Sequence, residues 1–470
     1  MPPAPKPKPA RPITFLHTAD WQLGKPFASI TDPAKRARVQ QERFEALRRI
    51  GAVVRDRQAR FVVAAGDLFD SPTPTHATIS AALGAIAELG VPVFAIPGNH
   101  DHAGPDSLWE QPFFRRERER LAPNFHLLTA REPVRIRLDA DEVILLPCPL
   151  LRRHEPDDPT AWIRDLEFDR LLDGDDDSKH LPRIVIAHGS TTAFTAGAGG
   201  QHDDDGAATG AISANTIAID RLPLDEIDYV SLGDWHGFTA AGPKAWYAGT
   251  PEIDRFPKAG QEPGHVAIVT VSRGGQPTVA QVATGRFRWI THEAVLDATP
   301  DEKPAATPDA MLGAAGEANG AAQLDEWLTQ ATKPQAPGEP GFDGCLAEVH
   351  LTGTVSLAGR AELDRVLESW QARLLRLDVV DFVRIAPTLD EIHDLAHRPH
   401  DPIISRVAAE LIERLDGGGT AGAESTHDLD VIRQAIFMLH ALAHAERAQP
   451  QFNAAAIPHN TTPQTAIAGA

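Results

Sequence analysis

Five short motifs in a fixed order constrain the fold of this 470-residue chain more than any other feature. They are Asp20-Trp21-Gln22, Gly66-Asp67-Leu68-Phe69-Asp70, Gly98-Asn99-His100-Asp101, Ala187-His188-Gly189 and Gly233-Asp234-Trp235-His236-Gly237. Each follows a short apolar run, at residues 13–16, 61–65, 93–96, 184–187 and 229–232. Runs of that length, bounded by Gly, Pro and Asp, read as buried strands. Carboxylates, amides and imidazoles therefore recur at the carboxyl ends of strands, where open α/β sheets build their sites. A single Asp there needs only turn chemistry to explain it. Five motifs in register point instead to a binuclear metal site.

The remaining composition narrows the class. A chain of this length exceeds one ordinary core and suggests two or three domains. Its two cysteines, Cys148 and Cys345, are far apart and give no disulfide framework, which fits a reducing compartment. Residues 1–12 are rich in Pro and Lys without an apolar stretch, unlike a signal peptide, and no apolar run reaches 18 residues. The cytoplasm is the expected location. Lys and Arg number 45 against 65 Asp and Glu, a net charge of −20, whereas proteins that coat DNA phosphates are usually basic. The charge is uneven, however: residues 1–60 carry 13 Lys/Arg and 5 Asp/Glu. The Arg-rich helix expected over 35–60 is either a solvated face or a face turned toward DNA.

From residue 12 to about 288, apolar runs alternate with helical stretches at 36–57 and 75–89, an α/β pattern. Residues 197–210 and much of 299–344 are Gly-, Ala-, Asp- and Pro-rich and read as loops around one helix at 321–328. A β-α-β order follows, with strands at 346–351 and 379–385 and a helix at 361–375. Helical spacing then returns at 404–415 and 429–445, with Gly417, Gly418 and Gly419 between, and no internal repeat is evident. The expected organisation is a disordered tail at 1–11, a catalytic domain at 12–290, and a second domain with a flexible insert at 291–390. A helical region at 391–447 and a disordered tail at 448–470 complete it.

The motif set resembles the calcineurin-like metallophosphoesterase superfamily. The wording His17-Thr18-Ala19-Asp20-Trp21-x-Leu23-Gly24 is most similar to the SbcD-type DNA repair nucleases, as is Tyr247-Ala248-Gly249-Thr250-Pro251 after the last motif. The likeness is specific over about 15–251, looser to about 389, and only architectural beyond. It implies a four-layer α/β/β/α metallophosphoesterase sandwich with a small α+β capping domain and C-terminal helices. It also implies a nuclease or exonuclease whose partners are DNA and an SbcC-type ATPase, commonly as a homodimer.

By the same resemblance, Asp67 bridges two divalent ions. Asp20, Gln22, Asp67 and His236 would hold one; Asp67, Asn99, His188 and Asp234 would hold the other. His100 would be catalytic, stabilising the transition state or protonating the leaving oxygen, work that imidazole suits. Two positions depart from the family pattern, since Gln22 and Asp234 stand where histidines are usual. Trading nitrogen for oxygen donors favours Mn²⁺, or Mg²⁺, over Zn²⁺. Gln22 is either a ligand or an amide beside the ligands. His17 reads as a packed strand residue, Trp21 and Trp235 as core, and Asp70 and Asp101 as groups that orient the loops. Two other functions fit the same residues: a phosphodiesterase or phosphatase for a small nucleotide, or a weakly active scaffold for an ATPase.

Overall fold

The computed structural model describes residues 11–139, 141–171, 176–191, 214–258, 260–296, 319–336, 338–385, 389–398 and 400–417, with 431–432, 435–436 and 438–439. The expected loop at 197–210, the tails at 1–10 and 448–470, and most of the 429–445 helix lie outside the described residues. Two compact units appear. One comprises Met1–His292, Leu328–Val349 and Ser369–Val380; the other comprises Glu293–Trp327, His350–Glu368 and Asp381–Ala470.

The first unit is built on two six-stranded mixed sheets. In the first sheet, β1 (Ile13–Thr18) lies beside β2 (Val62–Ala65), followed by β3 (Val93–Ile96) and β4 (Phe125–Leu127), all parallel. On the other side of β1, β13 (His265–Val271) and then β14 (Thr278–Ala283) run antiparallel to their neighbours. The second sheet orders β11 (Thr239–Gly242), β12 (Ala245–Tyr247), β10 (Tyr229–Gly233), β7 (Arg183–His188), β6 (Asp141–Cys148) and β5 (Val134–Leu138). The central strands are buried along their whole length, and for that reason they read as unbroken apolar runs.

The period of two sorts their side chains between layers. Phe15, Val63, Ala65, Phe94, Val143, Leu145, Ile184, Ile186 and Tyr229 form the core between the sheets. Phe15 stacks on Phe61 and meets the edge of Tyr229 from the other sheet at 5.6 Å. Leu16, Val62 and Ala64 face the opposite way, onto three helices. These are α1 (Pro33–Asp56), α2 (His76–Ala87) and α3 (Pro112–Leu121). Asp32 caps α1 by accepting from the amides of Ala34 and Lys35, with Pro33 opening the helix, and Thr75 caps α2 through Thr78. On the far face of the second sheet, Ile144, Leu146, Val185, Val230 and Leu232 pack under short 3₁₀ turns carrying Ile163 and Ile219. Among the described residues, that fourth layer contains no α-helix.

The β-α-β stretch appears as β16 (Cys345–Val355), α5 (Leu357–Arg373), β17 (Arg376–Asp381) and β18 (Arg384–Ile385), preceded by α4 (Asn319–Ala331). Two details differ from expectation. The helix starts four residues early because Ser356 Oγ accepts from the Gly359 amide and caps it there. The last strand is split because Asp381 Oδ1 accepts from the Val383 amide in a local turn. In the second unit, α6 (Leu389–Ala396) packs on α7 (Pro402–Gly417) through Leu395 and Ala408. The stripe expected to be buried on α7 is not: Val407 is exposed, as is Ile403. No described helix is long and apolar enough to cross a membrane.

Candidate metal centre

Strand register carries the motifs to one place. Thr18 pairs with Ala64 and Ala65 with Ile96, so the turns after β1, β2 and β3 open side by side. Gly233 pairs with His188, which brings together the turns after β7 and β10. The backbone there is strained: Asp20, Gln22, Asp67 and Asp234 all adopt positive φ, at 53°, 43°, 55° and 99°. Non-glycine residues seldom do so without functional reason. Glycine is required where the turns touch, since a Cβ on Gly98 would lie 2.1 Å from Asp67 Oδ1 and one on Gly233 2.0 Å from the Ala65 carbonyl.

The structure gathers Asp20, Asp67 and His188 into a buried group whose candidate donor atoms lie within 4.8 Å of one another. His188 Nδ1 bonds to the Ala65 carbonyl at 2.8 Å, which turns Nε2 toward the acids. Nε2 then stands 2.9 Å from Asn99 Oδ1, 3.5 Å from Asp67 Oδ1 and 3.9 Å from Asp234 Oδ1. Turned over, the Asn99 amide would instead donate to His188 and to both Asp67 oxygens. Which way it faces depends on whether a cation shares the pocket. Asp20 accepts from the Asp234 amide at 3.1 and 3.2 Å, and Ser190 donates to Asp234 Oδ2 at 2.7 Å.

Charge completes the case for a cation here. Burial alone would push the His188 imidazole down, but Asp67, Asp20 and Asp234 outweigh it and hold it up at about 9. Burial raises Asp20 well above the carboxylate range, and Asp67 and Asp234 add to the rise while His188 opposes it. Buried carboxylates of this density need a positive charge among them. A proton on His188 Nε2 supplies one, and a divalent ion would supply two. The donor set around His188 fits such an ion.

The other end of the cluster is different. His236 Nδ1 lies 3.0 Å from Asp254 Oδ1, and its Nε2 lies 3.2 Å from Gln22 Nε2. Gln22 Oε1 accepts from Lys25 Nζ at 3.3 Å, and the same ammonium bonds Asp254 Oδ2 at 2.7 Å. Arg255 Nη2 sits 3.1 and 3.3 Å from the two ring nitrogens of His236. Gln22 and His236 are therefore brought to each other but not into the compact group of Asp20, Asp67 and His188. With its oxygen turned to Lys25, Gln22 does not offer the ligand geometry that the resemblance implied.

His100 stands at the mouth. Its amide donates to Asp67 Oδ1 at 2.9 Å, and its Nδ1 donates to the Asp70 carbonyl at 2.9 Å. That leaves Nε2 facing the cluster, 4.0 Å from Asp67 Oδ2, on a side chain 21% exposed. Asp101 ties the second and third motifs together by accepting from the Leu68, Phe69 and Gly98 amides. His17 bonds Tyr229 and the Leu232 carbonyl and is driven down to about 3 by burial, a neutral packed residue. Trp21 is core, with its indole on Thr18. Trp235 is half-buried.

Sequence reading missed Arg43, Asp254, Lys25 and Arg255. Arg43 is buried in α1 and donates to the carbonyls of Trp21, Asp20 and Glu252 and to Thr250 Oγ1, fixing the first motif against the 250–252 turn. Arg49 pairs with Glu42 and Glu252. The Arg-rich helix thus spends part of its charge inside the fold. Asp254 had a weak signal, a carboxylate just beyond the Tyr247–Pro251 wording.

Comparison with known proteins agrees with this geometry. Residues 13–238 match the calcineurin-like phosphoesterase family. The D subunit of the SbcCD nuclease of Bacillus subtilis is 28% identical over 297 residues, 57% of this chain and 69% of that protein. The uncharacterized metallophosphoesterase YhaO of the same organism is 35% identical over 98 residues, 20% of this chain and 24% of its own. The crystal structure of TT1561 of Thermus thermophilus overlaps 58% of this chain and all of its own at 12% identity. Its TM-score of 0.34 is too slight a likeness to bear on the fold. Through residues 13–238 the chain belongs to the calcineurin-like metallophosphoesterase family, and its wider sequence likeness is to the SbcD type.

Proposed function

We propose that this protein is a metal-dependent phosphodiesterase acting on DNA, the nuclease component of an SbcCD-like repair complex in the cytoplasm. The observation that carries the reading is the buried carboxylate cluster around His188 Nε2. Asp67, Asn99, His188 and Asp234 would hold one divalent ion, with Asp20 beside them. Asp20, Asp67 and His236, with Gln22, are the candidates for a second. Oxygen-rich donors favour Mn²⁺, then Mg²⁺. When bound, such ions supply Lewis acidity and an activated water for attack on phosphorus.

The chain's own residues then have defined tasks. Asp67 joins the two ends of the cluster. Its Oδ1 also accepts from the His100 amide and so fixes that residue's backbone. The Asp70 carbonyl holds His100 Nδ1, leaving Nε2 to donate a hydrogen bond or a proton to a departing oxygen. The DNA substrate, the ATPase partner and a homodimeric state are supported by the likeness to the Bacillus SbcCD nuclease over 57% of the chain. The exposed Ile403 and Val407 on α7 suit contact with a partner helix.

The test is a nuclease assay on linear and hairpin-ended DNA with Mn²⁺, Mg²⁺ or Zn²⁺, comparing wild type with His100→Ala. Metal-dependent cleavage that His100→Ala loses supports the reading. The net charge of −20 gives a small soluble nucleotide ester a claim as substrate. Turnover of such an ester without salt-sensitive DNA binding would favour it instead.

A further inference from the structure

The position beside Gln22 and His236 already holds positive charge. Lys25 Nζ lies 2.7 Å from Asp254 Oδ2 and 3.3 Å from Gln22 Oε1, so the one oxygen Gln22 could offer a metal is engaged by an ammonium. The lysine is anchored: its side chain is 15% exposed and that of Asp254 is 1% exposed. The arrangement is knit from two separate segments, since Asp254 also bonds His236 Nδ1 at 3.0 Å and Arg255 Nε approaches Asp254 at 3.6 Å. A glutamine at position 22 suits this cluster because its amide has both faces. Its oxygen accepts from Lys25 while its nitrogen faces the lone pair of His236 Nε2 at 3.2 Å.

We infer that Lys25 is a resident cation that competes with the second divalent ion, so the protein binds one ion tightly, at His188, and a second only weakly. This rests on the metallophosphoesterase reading of the site and specifies its stoichiometry. An ammonium and a dication cannot share one oxygen of Gln22. With Lys25 held by Asp254, a second ion must either displace the lysine or bind without Gln22. Lys25 is a positioning residue: it acts through Gln22 and Asp254.

The test is equilibrium dialysis of the full chain against Mn²⁺, with bound metal counted per chain, for wild type and for Lys25→Met. Wild type should hold one ion firmly and a second at least about tenfold more weakly. Lys25→Met keeps the stem but removes the charge. It should tighten the weak ion by about tenfold or more and leave the firm one unchanged, while Lys25→Arg should resemble wild type. Two equally tight ions in wild type, or a weak ion indifferent to Lys25→Met, would overturn the inference while leaving the metallophosphoesterase reading intact. Absence of any bound ion in every protein would sink both. Should Lys25→Met fail to fold, the wild-type stoichiometry alone still decides.

Discussion

The two ends of the metal cluster are made from the same five turns yet differ in charge. Around His188, buried carboxylates outnumber the groups that could neutralise them, and the imidazole is held up at about 9 as a result. Around His236, Lys25 and Arg255 already face Asp254 and the ring. Asp254 there sits well below the ordinary carboxylate range: burial would raise it, but His236, Lys25 and Arg255 together pull it down. One end lacks a cation and the other has its own. Whether a site demands a metal depends on the charge surrounding the donors as much as on the donors themselves.

The largest effect should come from the group common to both ends. Asp67→Ala is expected to lose hydrolysis to background and to lower bound metal, read by turnover and metal content on the same sample. Should it keep full metal content, the bridging role assigned to Asp67 would be wrong. His100→Ala should cut turnover by roughly 10²–10⁴-fold while metal content stays at the wild-type level, because it acts on the phosphate and not on the ions. Wild-type turnover on every phosphoester tried would remove His100 from the chemistry.

Two smaller effects bear on the contrast directly. Asp254→Asn removes the carboxylate that orients His236 and anchors Lys25, and groups in that position are typically worth roughly 10–100-fold in metal affinity or activity. The firm ion at His188 should be untouched by it, and weakening of that ion would show the two ends are not independent. The last effect is on stability. His188 is raised from 6.5 to about 9, so its contribution to the metal-free protein is complete below 6.5 and is lost as the pH rises through 9. Asp20, raised by burial, costs stability as it ionises over a rising pH, which acts in the same direction. Melting of chelated protein should therefore move down between pH 6.5 and 9, by roughly 2–4 °C for each kcal/mol lost. Mn²⁺ should flatten that dependence, since the ion replaces the proton. A chelated protein equally stable at both pH values would contradict the charge balance drawn for the His188 end.

Much of this was legible in sequence for a physical reason. Strands buried on both faces show as apolar runs, and β1, β2, β3, β7 and β10 all fall where such runs predict them. The turns that follow must hold polar residues, so the donors stood out. The edge strands were harder. β5 alternates as Val134-Arg135-Ile136-Arg137-Leu138, a period-two signal with only Ile136 buried, and β11 and β14 are partly exposed throughout. What sequence could not supply was the pairing of Gln22 with Lys25 and Asp254. Residues 25 and 254 meet only because β1 and the turn after β12 close on one another, and no local pattern records that. The same limit applies to Arg43, which reads as one more surface arginine of a helix until its buried partners are seen.

The most direct test of the central claim is hydrolysis of a simple phosphodiester by wild type and Asp67→Ala, first in excess chelator and then with Mn²⁺ restored. The account predicts no turnover in chelator, recovery of wild type on adding Mn²⁺, and no recovery of the variant. Full turnover in chelator, or recovery of Asp67→Ala to the wild-type rate, would contradict it.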